Sequence, residues 1–290
     1  MLGLIKYIVS AVCALVFIIC LIVTIRKFSK GKRTGGIVAT VFAVIFFAGS
    51  CYSLIISYSN PHSYSSVGDI RTPLGYKRVE VLDGSFASFL RGLPLRPAGT
   101  KVMLYGGKEK ARLQWLSYAV IDMDILSNSE QCADACMRLW AEYLFKKGEY
   151  SKIKFKNVNG ETLAFKGRTR KEFESFMKRV FETASTYSME KYMQPVKASD
   201  VQIGDVLVYA ARPGRKLGHA VIVVDMAENI FGNKVFLVAE SNTPARDKHV
   251  MRNFLNPAYS PWFTLNQKAA KDDYVMRLPF RFYGDNIRRF

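Results

Sequence analysis

The sequence predicts an α+β domain of helices packed on an antiparallel sheet, preceded by two transmembrane helices. Three observations carry that reading. Two long charge-free apolar segments fill the first 60 residues, two amphipathic helical patterns come later, and three apolar runs of strand length follow them. Helices first and a meander afterwards is the order of an α+β domain rather than of alternating βαβ units.

Each element has its own justification. Tyr7 to Ile25 carries no charge, and neither does Thr34 to Gly68, of which Gly35 to Tyr58 is the apolar part. Each segment is long enough to cross a hydrocarbon core of ~30 Å as a helix. A signal peptide would have a shorter apolar region and a small-residue cleavage site. Arg26, Lys27, Lys30, Lys32 and Arg33 lie between the two segments. The positive-inside rule puts that loop in the cytoplasm, so everything after about residue 60 is expected outside. Ala48-Gly49-Ser50-Cys51 also resembles a lipobox, which would make Cys51 a lipidated N-terminus.

Residues 1–59 are thus expected as the transmembrane pair and 60–75, rich in serine with Pro61 and Pro73, as a linker. Residues 76–290 are expected as the exported domain. A short helix fits Ser85 to Arg91, stopped by Gly92 and Pro94. Lys101 to Tyr105 and Ser117 to Asp124 read as strands. Ser127 and Glu130 form a capping-box pattern ahead of a helix running to about Lys147. Cys132, Ala135, Cys136, Leu139 and Tyr143 share its inner face. Lys171 to about Met189 repeats the pattern. Strands follow at Asp205 to Ala210, His219 to Met226 and Lys234 to Ser241, the last two joined through Gly232-Asn233.

Composition narrows the function classes. The chain has 42 Lys+Arg against 24 Asp+Glu, net +18, and 13% aromatic residues. Disorder and solenoid repeats are excluded by the aromatics and the lack of a period. Six basic residues and no acidic one fall before residue 35, leaving +12 for the rest. A basic exported domain is expected to meet an anionic cell-envelope polymer or lipid. Nucleic acid is not expected, since no nucleic-acid motif is present. Gly106-Gly107 and Pro213-Gly214 are turn formers, not a phosphate loop. Asp122, Asp124, His219 and His249 lack HExxH, CxxC or EF-hand spacing, so neither metal nor cofactor is expected.

Of five cysteines, Cys13, Cys20 and Cys51 fall in the apolar segments, and only Cys132 and Cys136 in the remainder. Their spacing on one helix face does not suit a disulfide. Thiol catalysis needs a thiolate, a base and a polar group to orient that base. Cys132 near a helix start, His219 opening a strand and Glu240 on the next strand supply those parts. Cys136, one turn deeper, reads as core. His62 is in the linker and His249 reads as a surface or groove residue. Asn242, Arg246, His249 and Trp262 are the substrate-binding candidates.

The helix Gln131-Cys132-Ala133-Asp134-Ala135, the run GHAVIVVDMA at 218–227 and AESNTPARDKH at 239–249 resemble an uncharacterised bacterial exported family. The likeness runs from about Leu74 to Phe263. More remotely, Gly204-Asp205 entering a strand pair and His219 opening the next strand resemble papain-like NlpC-type cell-wall peptidases. That resemblance implies a papain-like core with Cys132 as nucleophile, His219 as base and Glu240 as orienting group. The long separation of Cys132 from His219, the Gln131-Cys132-Ala133 sequence and an acidic residue at 240 depart from it. The function expected is a membrane-anchored thiol hydrolase acting on envelope peptide or amide bonds, at the bacterial inner membrane with its soluble part outside. A non-catalytic envelope-binding module and a thiol acyltransferase for lipid-linked substrates are the alternatives.

Overall fold

The computed structural model describes residues 2–31, 33–59, 64–110, 112–214, 216–277 and 279–290, without the side chains of 2–11, 13, 33–36 and 52–59. His62 and the first part of the expected linker therefore lie outside the described residues, and nothing is said of the Cys13 side chain. The chain forms two compact units, Met1–Asn60 and Pro61–Phe290.

The first unit is a pair of helices, α1 (Leu2–Ser29) and α2 (Arg33–Ser59). Gly31 makes the turn between them with φ +67°, a conformation that suits glycine. The helices meet through Phe17 and Phe47, with ring centroids 5.1 Å apart, and through small buried positions such as Ala39 and Ala43. The expectation of transmembrane helices is corrected here: among the described residues, no helix is long and apolar enough to cross a membrane. The placement in a bacterial inner membrane, the outward orientation of the rest, and the membrane and anionic envelope partners lose their premise with it. Cys51, the lipobox candidate, lies inside the continuous helix α2.

The second unit is built on one antiparallel sheet. Its strands are β1 (Tyr76–Arg78), β2 (Ser117–Val120), β5 (Gln194–Pro195), β6 (Val206–Tyr209), β7 (His219–Asn229), β8 (Lys234–Glu240), β9 (His249–Met251) and β12 (Ile287–Arg289). The order across it is β2-β9-β8-β7-β6-β12-β5, and β1 pairs with the far end of β7. Two small hairpins stand apart, β3 (Lys154–Lys156) with β4 (Thr162–Ala164), and β10 (Tyr274–Met276) with β11 (Phe282–Tyr283). The helices are α3 (Phe86–Arg91), α4 (Cys132–Lys146), α5 (Arg170–Thr183) and α6 (Thr186–Tyr192).

Strands β6, β7 and β8 are buried on both faces, which is why they read as unbroken apolar runs. One face, with Val206, Ile222 and Leu237, packs against Cys136 and Leu139 of α4 and Phe173 and Val180 of α5. The other, with Leu207, Val223 and Val238, is covered by Phe263, Val275, Phe282 and Ile287 from the last third of the chain. A register shift between Val223 and Asp225 interrupts the β7–β8 ladder. Asp225 is fully buried there and satisfied by Arg78 Nε at 2.6 Å and Arg91 Nε at 2.8 Å.

Several boundaries move from where local patterns put them. Residues 101–105 form isolated bridges instead of a strand. The second long helix breaks after Thr183, where Ser185 accepts from Tyr187 N and starts α6. The cap of α4 is Gln131, not Ser127. Glu130, the expected partner of Ser127 in a capping box, instead receives Lys248 Nζ at 2.5 Å and Arg138 NH1 at 2.9 Å in the interior. Asp134 takes over the capping role, its Oδ2 accepting from Gln131 N at 2.9 Å. Cys132 thereby becomes the first residue of the helix.

Candidate active site

Three element ends converge. The first is the start of α4, with Cys132 in its first helical position and only 6% exposed. A helix start carries partial positive charge and free N–H groups, which favour an anion there. The second is the start of β7, where His219 faces Tyr209 across the ladder. Gly218 precedes it at a point of close approach, where a Cβ would stand 2.2 Å from Thr186 Oγ1 and 2.7 Å from Tyr209 O. The third is the end of β8, where Glu240 pairs in register with His249 of β9.

His219 Nε2 lies 2.9 Å from Glu240 Oε2, both side chains being buried. Cys132 stands near enough to the same imidazole to help raise its pKa. With Nε2 committed to Glu240, Nδ1 is the nitrogen left for the thiol. Burial alone would lower the His219 pKa, but the interactions with Cys132 and Glu240 override it and raise it to about 9. Burial likewise pushes the Glu240 carboxyl up, and His219 and His249 together hold it well below the ordinary carboxylate range. The Phe280 ring covers His219, with centroids 3.8 Å apart.

The substrate-binding candidates divide. His249 is fully buried instead of lying at the surface, with Nδ1 3.0 Å from Asp247 O and Nε2 3.3 Å from Glu240 Oε1. That last contact is within ion-pair distance but out of line for a hydrogen bond, leaving Nε2 without one. Arg246 is close enough to feel Cys132 and Glu240, yet burial dominates and lowers its pKa. Its guanidinium donates to Thr243 O and Pro244 O. Asn242 holds the same turn, its Oδ1 accepting from Thr243 N at 2.8 Å. Trp262 is wholly buried in the main core, its indole donating to Arg71 O at 2.7 Å. Gly204-Asp205, the strand-entry pair, has a structural part: Asp205 receives Arg289 through two contacts of 2.7 Å. Burial pushes the Cys136 thiol well up.

Asp122 and Asp124 pair with Arg96, far in role from the two histidines. Among the described residues, no group of three or more His, Cys, Asp or Glu is arranged to hold a metal ion.

Cys132 opens onto a cleft of about 480 Å³ whose lining includes Asn128, Gln131, Asp134, Glu182 and Thr243. Sequence reasoning missed these residues. Thr243 Oγ1 donates to Gln131 Oε1 at 2.7 Å, tying the residue before Cys132 to the turn after β8. The only sequence signal for Gln131 and Asp134 was their place flanking the cysteine.

The family model for a domain of unknown function, DUF4846, matches residues 68–168 and 165–289. The chain belongs to the DUF4846 family. The two matched stretches take in Cys132 on one side and His219 and Glu240 on the other, so the DUF4846 region contains the whole constellation. No curated protein and no solved structure matches the chain. The papain-like core implied by the remote resemblance therefore has no matching structure behind it.

Proposed function

We propose that the DUF4846 unit is a thiol hydrolase that cleaves amide or related acyl bonds through an acyl-enzyme. The observation that carries this reading is the His219 imidazole, held by Glu240 at 2.9 Å and close enough to Cys132, the first residue of α4, for the thiol to affect its pKa. An imidazolium beside a thiol favours its thiolate, and a carboxylate behind the imidazole holds ring orientation and charge. In the first step the Cys132 sulfur attacks the substrate carbonyl and the C–N bond breaks. The His219 imidazolium gives its proton to the departing amine. Water then attacks the thioester, His219 takes a proton from it, the carboxylic acid leaves and the Cys132–His219 pair is restored. The N–H of Cys132, at the start of α4, is the donor for the developing oxyanion, an interaction worth about 10²–10³ in rate in other hydrolases.

The polar lining of the cleft supports a hydrolase of polar substrates over transfer to a lipid. The test is alkylation of the full chain with iodoacetamide, read by mass spectrometry, followed by incubation with p-nitrophenyl acetate. The reading expects labelling confined to Cys132, slowed at least tenfold in His219→Ala, and an acetylated Cys132 peptide. A Cys132 that labels only on unfolding leaves the non-catalytic alternative in its place, a reading that its low exposure favours.

A further inference from the structure

The cleft at Cys132 has opposite electrical character at its two sides. On one side stands the start of α4, with its partial positive charge. On the other is the end of α5, whose last turn has no basic residue and instead carries Glu182. A helix end bears partial negative charge, and a cation placed there is favoured. A second, independent observation points the same way. Asp134, which also lines the cleft, is buried, and its Oδ1 has no partner apart from the residue's own backbone N–H. Burial raises its pKa to about 8, the state of a carboxyl that lacks a counter-cation. Among the described residues lining the cleft there is no Lys or Arg, in a chain of net charge +18. Arg246 and Lys110, the cations nearest Glu240, are not in that lining. Two described cations work against the trend, Arg246, which interacts with Cys132, and Lys216, exposed beside the lining residue Leu217.

We propose that the Cys132 cleft selects an acyl donor bearing a cation, a primary ammonium or a guanidinium, seated between Asp134, Glu182 and the end of α5 while the scissile carbonyl lies at the start of α4. This rests on the thiol-hydrolase reading of the same site and names its substrate class.

The test uses three thiol reagents that differ in charge, 2-(trimethylammonium)ethyl, 2-sulfonatoethyl and the neutral methyl methanethiosulfonate, on the full chain at low salt. In each, the Cys132 thiolate attacks the sulfenyl sulfur, a mixed disulfide forms and methanesulfinate leaves. Rates at Cys132 are read by peptide mass spectrometry and divided by those of 2-mercaptoethanol. The expected result is at least a tenfold preference for the cationic reagent, reduced threefold or more by Glu182→Gln. Glu174→Gln, an acid on α5 that pairs with Arg170 outside the cleft, leaves the preference unchanged. Lys216→Gln strengthens it. A preference under twofold, or one for the anion, while the neutral methyl reagent reacts readily, overturns this inference and leaves the hydrolase reading standing. A Cys132 that reacts with none of the three overturns both.

Discussion

Glu240 Oε2 and His219 Nε2, 2.9 Å apart at the end of one strand and the start of its neighbour, form a buried pair whose protons are held by each other. The His219 pKa is raised to about 9 from an ordinary 6.5. A base raised on folding stabilises the fold fully below its unfolded value and loses that contribution as pH climbs through the folded one. The contribution is of order 3 kcal/mol. Glu240→Gln is expected to bring the His219 titration down by at least one pH unit in ring NMR. An unchanged titration would mean that Glu240 does not hold the imidazolium.

Asp134 predicts an alkaline loss of a different origin. Its carboxyl is neutral in the fold up to about pH 8, whereas an unfolded aspartate ionises near pH 4. Stability therefore falls as pH rises between those values, by up to a few kcal/mol. Asp134→Asn keeps an acceptor for Gln131 N and removes the titration. The difference in Tm between pH 5 and pH 8 should shrink in the variant. A difference of the same size in both proteins would refute the assignment.

Lys248 and Glu130 are each 1% exposed and stand 2.5 Å apart, with Arg138 on the same carboxylate. Removing one member of a buried charge set strands the others, at a cost of about 3–5 kcal/mol. Lys248→Met is expected to lower stability by about that amount in urea unfolding. Adding Glu130→Gln should recover part of it, because the stranded charge is gone. A double variant as unstable as the sum of the singles would speak against a coupled network.

Gly218→Ala tests the approach that aims His219. The added Cβ would meet Thr186 Oγ1 at 2.2 Å and Tyr209 O at 2.7 Å. The strand start has to shift, costing about 1–3 kcal/mol and misplacing the imidazole. Iodoacetamide labelling of Cys132 should slow at least fivefold. Thr186→Ala in the same chain should not restore it, since the Tyr209 carbonyl still blocks the methyl.

Cys136→Ala separates the two thiols. Cys136 is wholly buried one turn below Cys132. Its loss should leave the rate of Cys132 labelling within twofold and cost stability by creating a small cavity. Labelling that disappears with Cys136 would move the reactive thiol to the wrong turn of α4.

Much of the second unit was legible in local pattern. Strands β6, β7 and β8 announce themselves because both faces are buried, leaving no polar alternation to confuse with another element. The body of α4 follows from helical spacing, and Cys132, His219 and Glu240 from their places at element ends. The first unit was misread as transmembrane: among the described residues no helix is long and apolar enough to cross a membrane, and an apolar, charge-free run equally suits two helices that pack on each other. Strands β1, β3 to β5 and β9 to β12 were missed, being two or three residues each, too short for any period to show.

What the sequence by itself determined is the set of chemically capable residues and the order of elements that carry them, because both depend on neighbours within a few positions. The tertiary structure alone decided where α4 begins. Ser127 and Glu130 satisfy a capping pattern locally, but in the fold Glu130 is buried against Lys248 and Arg138, and a buried carboxylate must keep its cationic partners. The helix starts at Cys132 instead, capped by Gln131 with Asp134. The burial of His249 and the bond from Thr243 to Gln131 likewise join positions distant in the chain and leave no local trace.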